Sequence, residues 1–164
     1  MFPDDIQASA VAVIEAAIKA GVMVATAESC TGGLVSGALT AVAGSSAVLD
    51  RGFVTYSNEA KGEMLGVSDE LLARFGAVSE PVARAMALGA VERSRASAAV
   101  SITGVAGPGG GSSEKPVGLV HFAAVGPSGV IVHVERRFGD MGREAVRMES
   151  VRVALALLLD AVAA

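Results

Sequence analysis

The sequence predicts one α/β domain spanning residues 1–164, a three-layer α/β/α sandwich on a mixed sheet. Three observations predict it. Helix-spaced apolar segments alternate with short apolar runs of strand length. Near the end, Val117 to Val125 and Val130 to Phe138 flank Gly126-Pro127-Ser128-Gly129, a hairpin signal. No linker, repeat or low-complexity segment interrupts the chain, and 164 residues at 52% hydrophobic suit a single core.

The elements follow in order. Asp4 or Asp5 can cap a first helix to about Lys19, with Ile6, Ala10, Val13 and Ala17 on one face and Gly21 as its stop. Val22 to Thr26 is a short buried strand, and a second helix runs from about Gly33 to Val42. Arg51 to Ser57 is the next strand, and Asn58 caps a short helix through Lys61 and Leu65. Ser79 caps a helix to about Arg95, with Glu80 and Pro81 in its first turn, where those residue types are favoured. Ala98 to Thr103 is a strand, Gly104 to Lys115 a glycine-rich loop, and the hairpin follows. A last helix starts near Asp140, with Met148, Val151, Leu155, Leu158, Leu159 and Val162 as its buried stripe.

Composition excludes several classes. A single-stranded nucleic-acid binder needs aromatic platforms and a basic groove, whereas this chain is 4% aromatic with a net charge of −4. The lone Cys30 forms no intramolecular disulfide, and with only His121 and His133 besides, no metal is expected. The start MFPDDIQ is acidic and unlike a signal peptide, and Val153 to Leu159 is too short for a membrane span. A cytoplasmic location is expected, and a homo-oligomer, by default a dimer.

Chemistry concentrates where local rules break. In Thr26 to Gly33 a strand gives way to small polar residues and glycines that open a helix, so Ser29 lies near a helix N-terminus whose free N–H groups can hold an oxyanion. A plain helix cap fits the same spacing. Lys61 falls in the first turn of its helix, where the macrodipole disfavours a cation and lowers an amine pKa. A solvated surface lysine fits there too. Five glycines between Thr103 and Pro116 let backbone approach a ligand at a strand end, without the GK[ST] of a P-loop or the helix a dinucleotide fingerprint opens; a flexible turn fits as well. Arg143, at the wrong helix end for a cation, suits an anion site, with Arg147 one turn on along the same face; a solvated face fits equally well. His121 and His133 fit no Ser-His-Asp arrangement and are read as structural or surface residues. Cys30 lacks a histidine partner for nucleophilic work.

Four stretches carry a resemblance: TAESCTGGL at Thr26–Leu34, GFVTYSNEAK at Gly52–Lys61, GAVSEPVARAMA at Gly76–Ala87 and TGVAGPGGGSSEKPVGLV at Thr103–Val120. Together they are similar to the CinA C-terminal domain family, also known as nicotinamide-nucleotide amidases, and they span most of the chain in order. The sequence departs at Gly109, where the family often carries Asp. The resemblance implies a hydrolase converting nicotinamide mononucleotide and water to nicotinic acid mononucleotide and ammonia, without metal or cofactor. It implies Ser29 as nucleophile and Lys61 as base, with Tyr56, Thr103 and Arg143 at positions linked to activity. Tyr56 is placed with the catalytic pair as a possible proton relay. Cys30, Thr31, Thr103, Gly104, Gly107, Gly110 and Arg143 are the expected contacts to the nucleotide. Some relatives carry a molybdopterin-binding-type domain with pyrophosphatase activity ahead of this one, and that second activity is not expected here. A non-catalytic nucleotide-binding domain with a competence or DNA-damage role is the competing reading; another amide substrate, or Cys30 as nucleophile, is a third.

Overall fold

A computed structural model describes residues 1–164. Five strands form one sheet in the order β2-β1-β3-β4-β5. They are β1 (Val24–Glu28), β2 (Leu49–Val54), β3 (Ala98–Gly104), β4 (Leu119–Val125) and β5 (Ile131–Arg137). β1 pairs in parallel with β2 and β3, while β3–β4 and β4–β5 are antiparallel, so the sheet is mixed as expected. The central strands β1 and β3 are buried nearly throughout, so they show no in-out alternation; their polar residues Thr26, Glu28, Ser101 and Thr103 are buried too and hydrogen-bonded.

Six helices cover the two faces. α1 (Asp4–Ala20), α2 (Leu34–Thr40) and α6 (Arg143–Ala163) pack on one side. Ile6, Val13, Leu39, Val151, Leu155 and Leu158 meet Val100, Ile102 and Phe122 there. α3 (Asn58–Leu65), α4 (Asp69–Phe75) and α5 (Glu80–Glu92) cover the other side, where Leu65, Leu72, Met86 and Phe53 form a smaller core with the alanines of β1 and β3. Gly89 on α5 is a point of close approach: a Cβ there would collide with the Leu65 carbonyl oxygen of α3. That contact seats α3, and with it Lys61.

Several boundaries differ from the sequence reading. Pro3 holds the cap position of α1, and Asp4 and Asp5 lie in its first turn, where Asp5 pairs with Arg152 of α6. β2 begins two residues earlier than expected and stops at Val54, because its partner strand ends at Glu28; Tyr56 and Ser57 belong to the following loop. Ser57, not Asn58, caps α3, its hydroxyl accepting the Ala60 N–H at 3.0 Å. Ser79 holds the cap position of α5, yet its hydroxyl donates to the Gly76 carbonyl at 2.8 Å. The last helix begins at Arg143, and Met148 and Leu159 on it are only half-buried. α4 was not anticipated. Ser68 caps it, Asp69 and Glu70 sit in its first turn and Gly76 ends it.

The topology positions the site. The chain leaves β1 through α2 on one face to reach β2, then crosses the other face through α3 to α5 to reach β3 on the far side of β1. The parallel strands β2, β1 and β3 therefore share one carboxyl edge at a topological switch, the usual place for a ligand crevice in an open α/β sheet.

Candidate active site

Three strand ends deliver the polar residues. Ser29 follows β1 directly, Thr55 and Tyr56 follow β2, and Thr103 and Gly104 close β3. A cleft of about 300 Å³ opens between them. Nine of the ten expected site residues line it: Ser29, Cys30, Tyr56, Lys61, Thr103, Gly104, Gly107, Gly110 and Arg143. Thr31 does not line it, and its side chain is fully buried. Asn58, Ala77 and Val78 also line the cleft, though the sequence reading gave Asn58 only a capping role.

At the cleft floor the Lys61 amine lies 3.0 Å from the Ser29 hydroxyl and donates to the Thr55 carbonyl at 2.9 Å. Lys61 is 1% exposed and has no carboxylate partner. Desolvation disfavours the ammonium, so burial holds the Lys61 pKa below the ordinary lysine range. Burial pushes the neighbouring Cys30 thiol the other way, up to about 11, which keeps it protonated at neutral pH.

The helix behind Ser29 is not free to bind an anion. The fully buried Glu28 carboxylate accepts the backbone N–H groups of Gly33 at 3.0 Å, Val35 at 3.1 Å and Ser36 at 2.9 Å, and the Thr26 hydroxyl at 3.2 Å. A buried carboxylate is held by such donors and by the positive end of the helix. The N-terminus of α2 itself is therefore taken, which narrows the expected oxyanion donors to the backbone directly after Ser29. The free donors lie one turn earlier: the N–H groups of Cys30 and Thr31 donate to no oxygen, while Ser29 N–H goes to Ile102 and Gly32 N–H to Ser29. Glu28 was missed in the sequence, although a lone charge ending an apolar strand just before Gly32-Gly33 is a legible sign of a capping carboxylate.

Across the cleft, Arg143 donates to the Gly107 carbonyl at 2.8 Å and to the Tyr56 hydroxyl at 3.0 Å, tying the glycine loop to the loop after β2. Tyr56 is 63% exposed at the mouth. With Lys61 directly on Ser29 and Tyr56 on Arg143, the geometry gives Tyr56 no place between them as a relay. In the loop, the N–H groups of Ala106, Gly107, Gly109 and Gly110 have no acceptor within the chain, and Gly107 and Gly110 have positive φ. Thr103 donates its hydroxyl to the Ala77 carbonyl at 2.8 Å, which ties the Ala77–Val78 wall to β3. Arg147 turns its guanidinium to the carbonyls of Cys30 and Thr31, both at 3.1 Å, instead of to the cleft. His121 and His133 lie outside the cleft and contact one another at 2.9 Å. No three His, Cys, Asp or Glu side chains converge as a metal cluster.

A family model described as the CinA C-terminal domain matches residues 6–162, nearly the whole chain. The chain belongs to the CinA C-terminal domain family. Among relatives of this CinA domain, the nicotinamide-nucleotide amidohydrolase PncC of Escherichia coli K12 is 56% identical over 144 residues, covering 87% of this chain and 86% of the relative. The protein of the same description from Enterobacter agglomerans is 55% identical over 139 residues, covering 84% of each chain. The crystal structure of the competence/damage inducible protein CihA from Agrobacterium tumefaciens superposes on the CinA fold with a TM-score of 0.96 at 57% identity, covering 98% of this chain and 97% of that one. No helix of the CinA domain is long and apolar enough to cross a membrane.

Proposed function

We propose that this protein is a nicotinamide-nucleotide amidase that opens the carboxamide of nicotinamide mononucleotide through Ser29 and Lys61. The observation that carries the reading is the buried Lys61 amine, without a counter-ion, 3.0 Å from the Ser29 hydroxyl. The descriptions of the Escherichia and Enterobacter relatives supply the substrate.

The chemistry runs as follows. The Lys61 amine donates to the Thr55 carbonyl and lies 3.0 Å from Ser29 Oγ; once uncharged, it turns its lone pair to the Ser29 O–H across that contact. Ser29 Oγ bonds to the amide carbon as its proton passes to Lys61, and the carbonyl electron pair moves onto oxygen. The Cys30 N–H, on the cleft wall and committed to no other oxygen, receives that charge. The C–N bond then breaks, Lys61 returns the proton to nitrogen and ammonia leaves. Water, deprotonated by Lys61, attacks the ester; the acid is released and Ser29 recovers its proton. An uncharged base also suits a substrate whose pyridinium ring is itself cationic.

The phosphate belongs at the cleft mouth, with Arg143 and the free N–H groups of Ala106, Gly107, Gly109 and Gly110. Cys30, protonated and beside the pair, is a wall and not a nucleophile. The reading carries a cytoplasmic setting and a symmetric dimer, which sedimentation would check.

The deciding experiment is ammonia release from nicotinamide mononucleotide by the purified protein, with Ser29→Ala and Lys61→Arg as controls. Release in the wild type and near-complete loss in both variants is the expected result, because arginine cannot act as a neutral base. Tight binding of the nucleotide with no ammonia formed would overturn catalysis and leave a binding domain.

A further inference from the structure

We infer that Arg147 is a positioning residue for the oxyanion site: it grips the carbonyls of Cys30 and Thr31 and so fixes the turn that aims the Cys30 N–H into the cleft. The inference rests on Ser29 as nucleophile.

The geometry is that of successive peptide planes. A trans peptide holds its C=O and N–H on opposite sides. The Cys30 carbonyl shares a plane with the Thr31 N–H, and the Thr31 carbonyl shares one with the Gly32 N–H. Arg147 Nε donates to the first carbonyl and Nη2 to the second, both at 3.1 Å. The Gly32 N–H in turn donates to the Ser29 carbonyl at 3.0 Å, and that carbonyl shares a plane with the Cys30 N–H. Arg147 thus fixes two consecutive planes directly, and the Gly32–Ser29 hydrogen bond ties the third to them. The N–H groups of Cys30 and Thr31 are left pointing away from the guanidinium with no oxygen of the chain to receive them; Cys30 lines the cleft and can present its donor there, while Thr31 is buried behind it.

The charge balance supports a role beyond fastening. Arg147 is half-buried and has no carboxylate partner, so a whole guanidinium serves two neutral carbonyls. A cation on C=O polarises the peptide and strengthens its N–H as a donor. Preorganised donors of this kind act on the transition state more than on the bound ground state, and losing one outright costs about 10²–10³ in kcat. A lost aim costs less than a lost donor.

The test uses Arg147→Lys, which keeps the charge but not the two-pronged geometry, and Arg147→Ala with and without added guanidinium. Each is assayed for kcat and KM with nicotinamide mononucleotide, and for the rate at which p-nitrophenyl acetate acylates Ser29, read by mass spectrometry. Expected are a fall in kcat and in acylation rate of about 10–100-fold in both variants, KM within about threefold, and partial rescue of the alanine variant by guanidinium. A purely structural fastener would lower activity only in step with the folded fraction, measured by circular dichroism, and that outcome overturns the inference. So do unchanged acylation in Arg147→Lys, a change in KM alone, or a wild type that the ester fails to acylate. Wild-type protein that is acylated in an Arg147-dependent way but releases no ammonia from the nucleotide sinks the substrate reading and leaves this inference standing.

Discussion

The Lys61 amine and the Ser29 hydroxyl meet at 3.0 Å although 32 positions separate them, and the amine is out of water with only neutral partners. Burial lowers the Lys61 pKa, so the active, uncharged form is populated at lower pH than for a free lysine. The rate of ammonia release, followed as kcat/KM against pH, should rise on the acid side through one ionisation placed below about 10.4, the free-lysine value. A rising limb centred at the free-lysine position would show that Lys61 is not held uncharged.

The same burial links stability to pH. Lys61 in the folded state binds its proton less tightly than in the unfolded chain, so the unfolded state holds more protons between the two pKa values. Stability therefore rises with pH across that window, at up to about 1.4 kcal/mol per pH unit, and is flat outside it. Urea melts of wild type and Lys61→Met should show the difference moving in favour of wild type as pH climbs toward about 10.4. A pH-independent difference would contradict the assignment.

On the proposed reading Arg143 and Tyr56 act on binding. Replacing Arg143 by Lys loses the fork that spans Gly107 and Tyr56, and should raise KM for the mononucleotide about tenfold or more while leaving the phosphate-free riboside unaffected. Tyr56→Phe removes one hydrogen bond to Arg143 and should cost a few-fold in KM, roughly 1 kcal/mol, with kcat kept. A collapse of kcat in Tyr56→Phe would put the phenol back in the proton path.

Glu28→Gln tests the capping carboxylate. An amide offers one acceptor oxygen where three N–H groups and a hydroxyl now share two, and its NH₂ faces donors. The variant should lose about 1–3 kcal/mol of stability in denaturant titrations, the usual cost of leaving buried polar groups unpaired. An unchanged midpoint would mean α2 is held by packing alone.

Gly89→Ala forces a methyl group into the Leu65 carbonyl where α5 meets α3. Overpacking of this kind costs about 1–3 kcal/mol. Because α3 carries Lys61, activity per folded molecule should also fall; unchanged specific activity would show that α3 shifts without moving its amine.

Much of this could be read from the chain, and the failures have physical causes. Patterning located every strand because β1 and β3 are rich in Val, Ala and Ile and the hairpin brackets a Gly-Pro turn, although β1 runs from Val24 to Glu28, two residues later than the expected Val22 to Thr26. The end of β2 was misplaced because Tyr56 and Ser57 look as strand-like as Phe53, and pairing with β1 is what stops the strand. α4 escaped because seven residues give too little periodicity, although Ser68-Asp69-Glu70 and Gly76 signal a start and a stop. At the site, motifs and spacing singled out Ser29, Lys61, the glycine loop and Arg143. They did not reveal that Lys61 is buried, since a lysine in a first helical turn is compatible with either side of the surface. Nor did they separate Arg143 from Arg147: both share a helix face, and only the fold shows that one faces the cleft and the other the carbonyls behind Ser29.

Both arginines sit on α6, the last element in chain order. Ser29, Lys61 and the glycine loop all come from stretches that precede it. On the proposed reading the amide chemistry and the guanidinium grip on the phosphate therefore belong to separate parts of the chain, and loosening of α6 would weaken nucleotide affinity without breaking the Ser29–Lys61 contact.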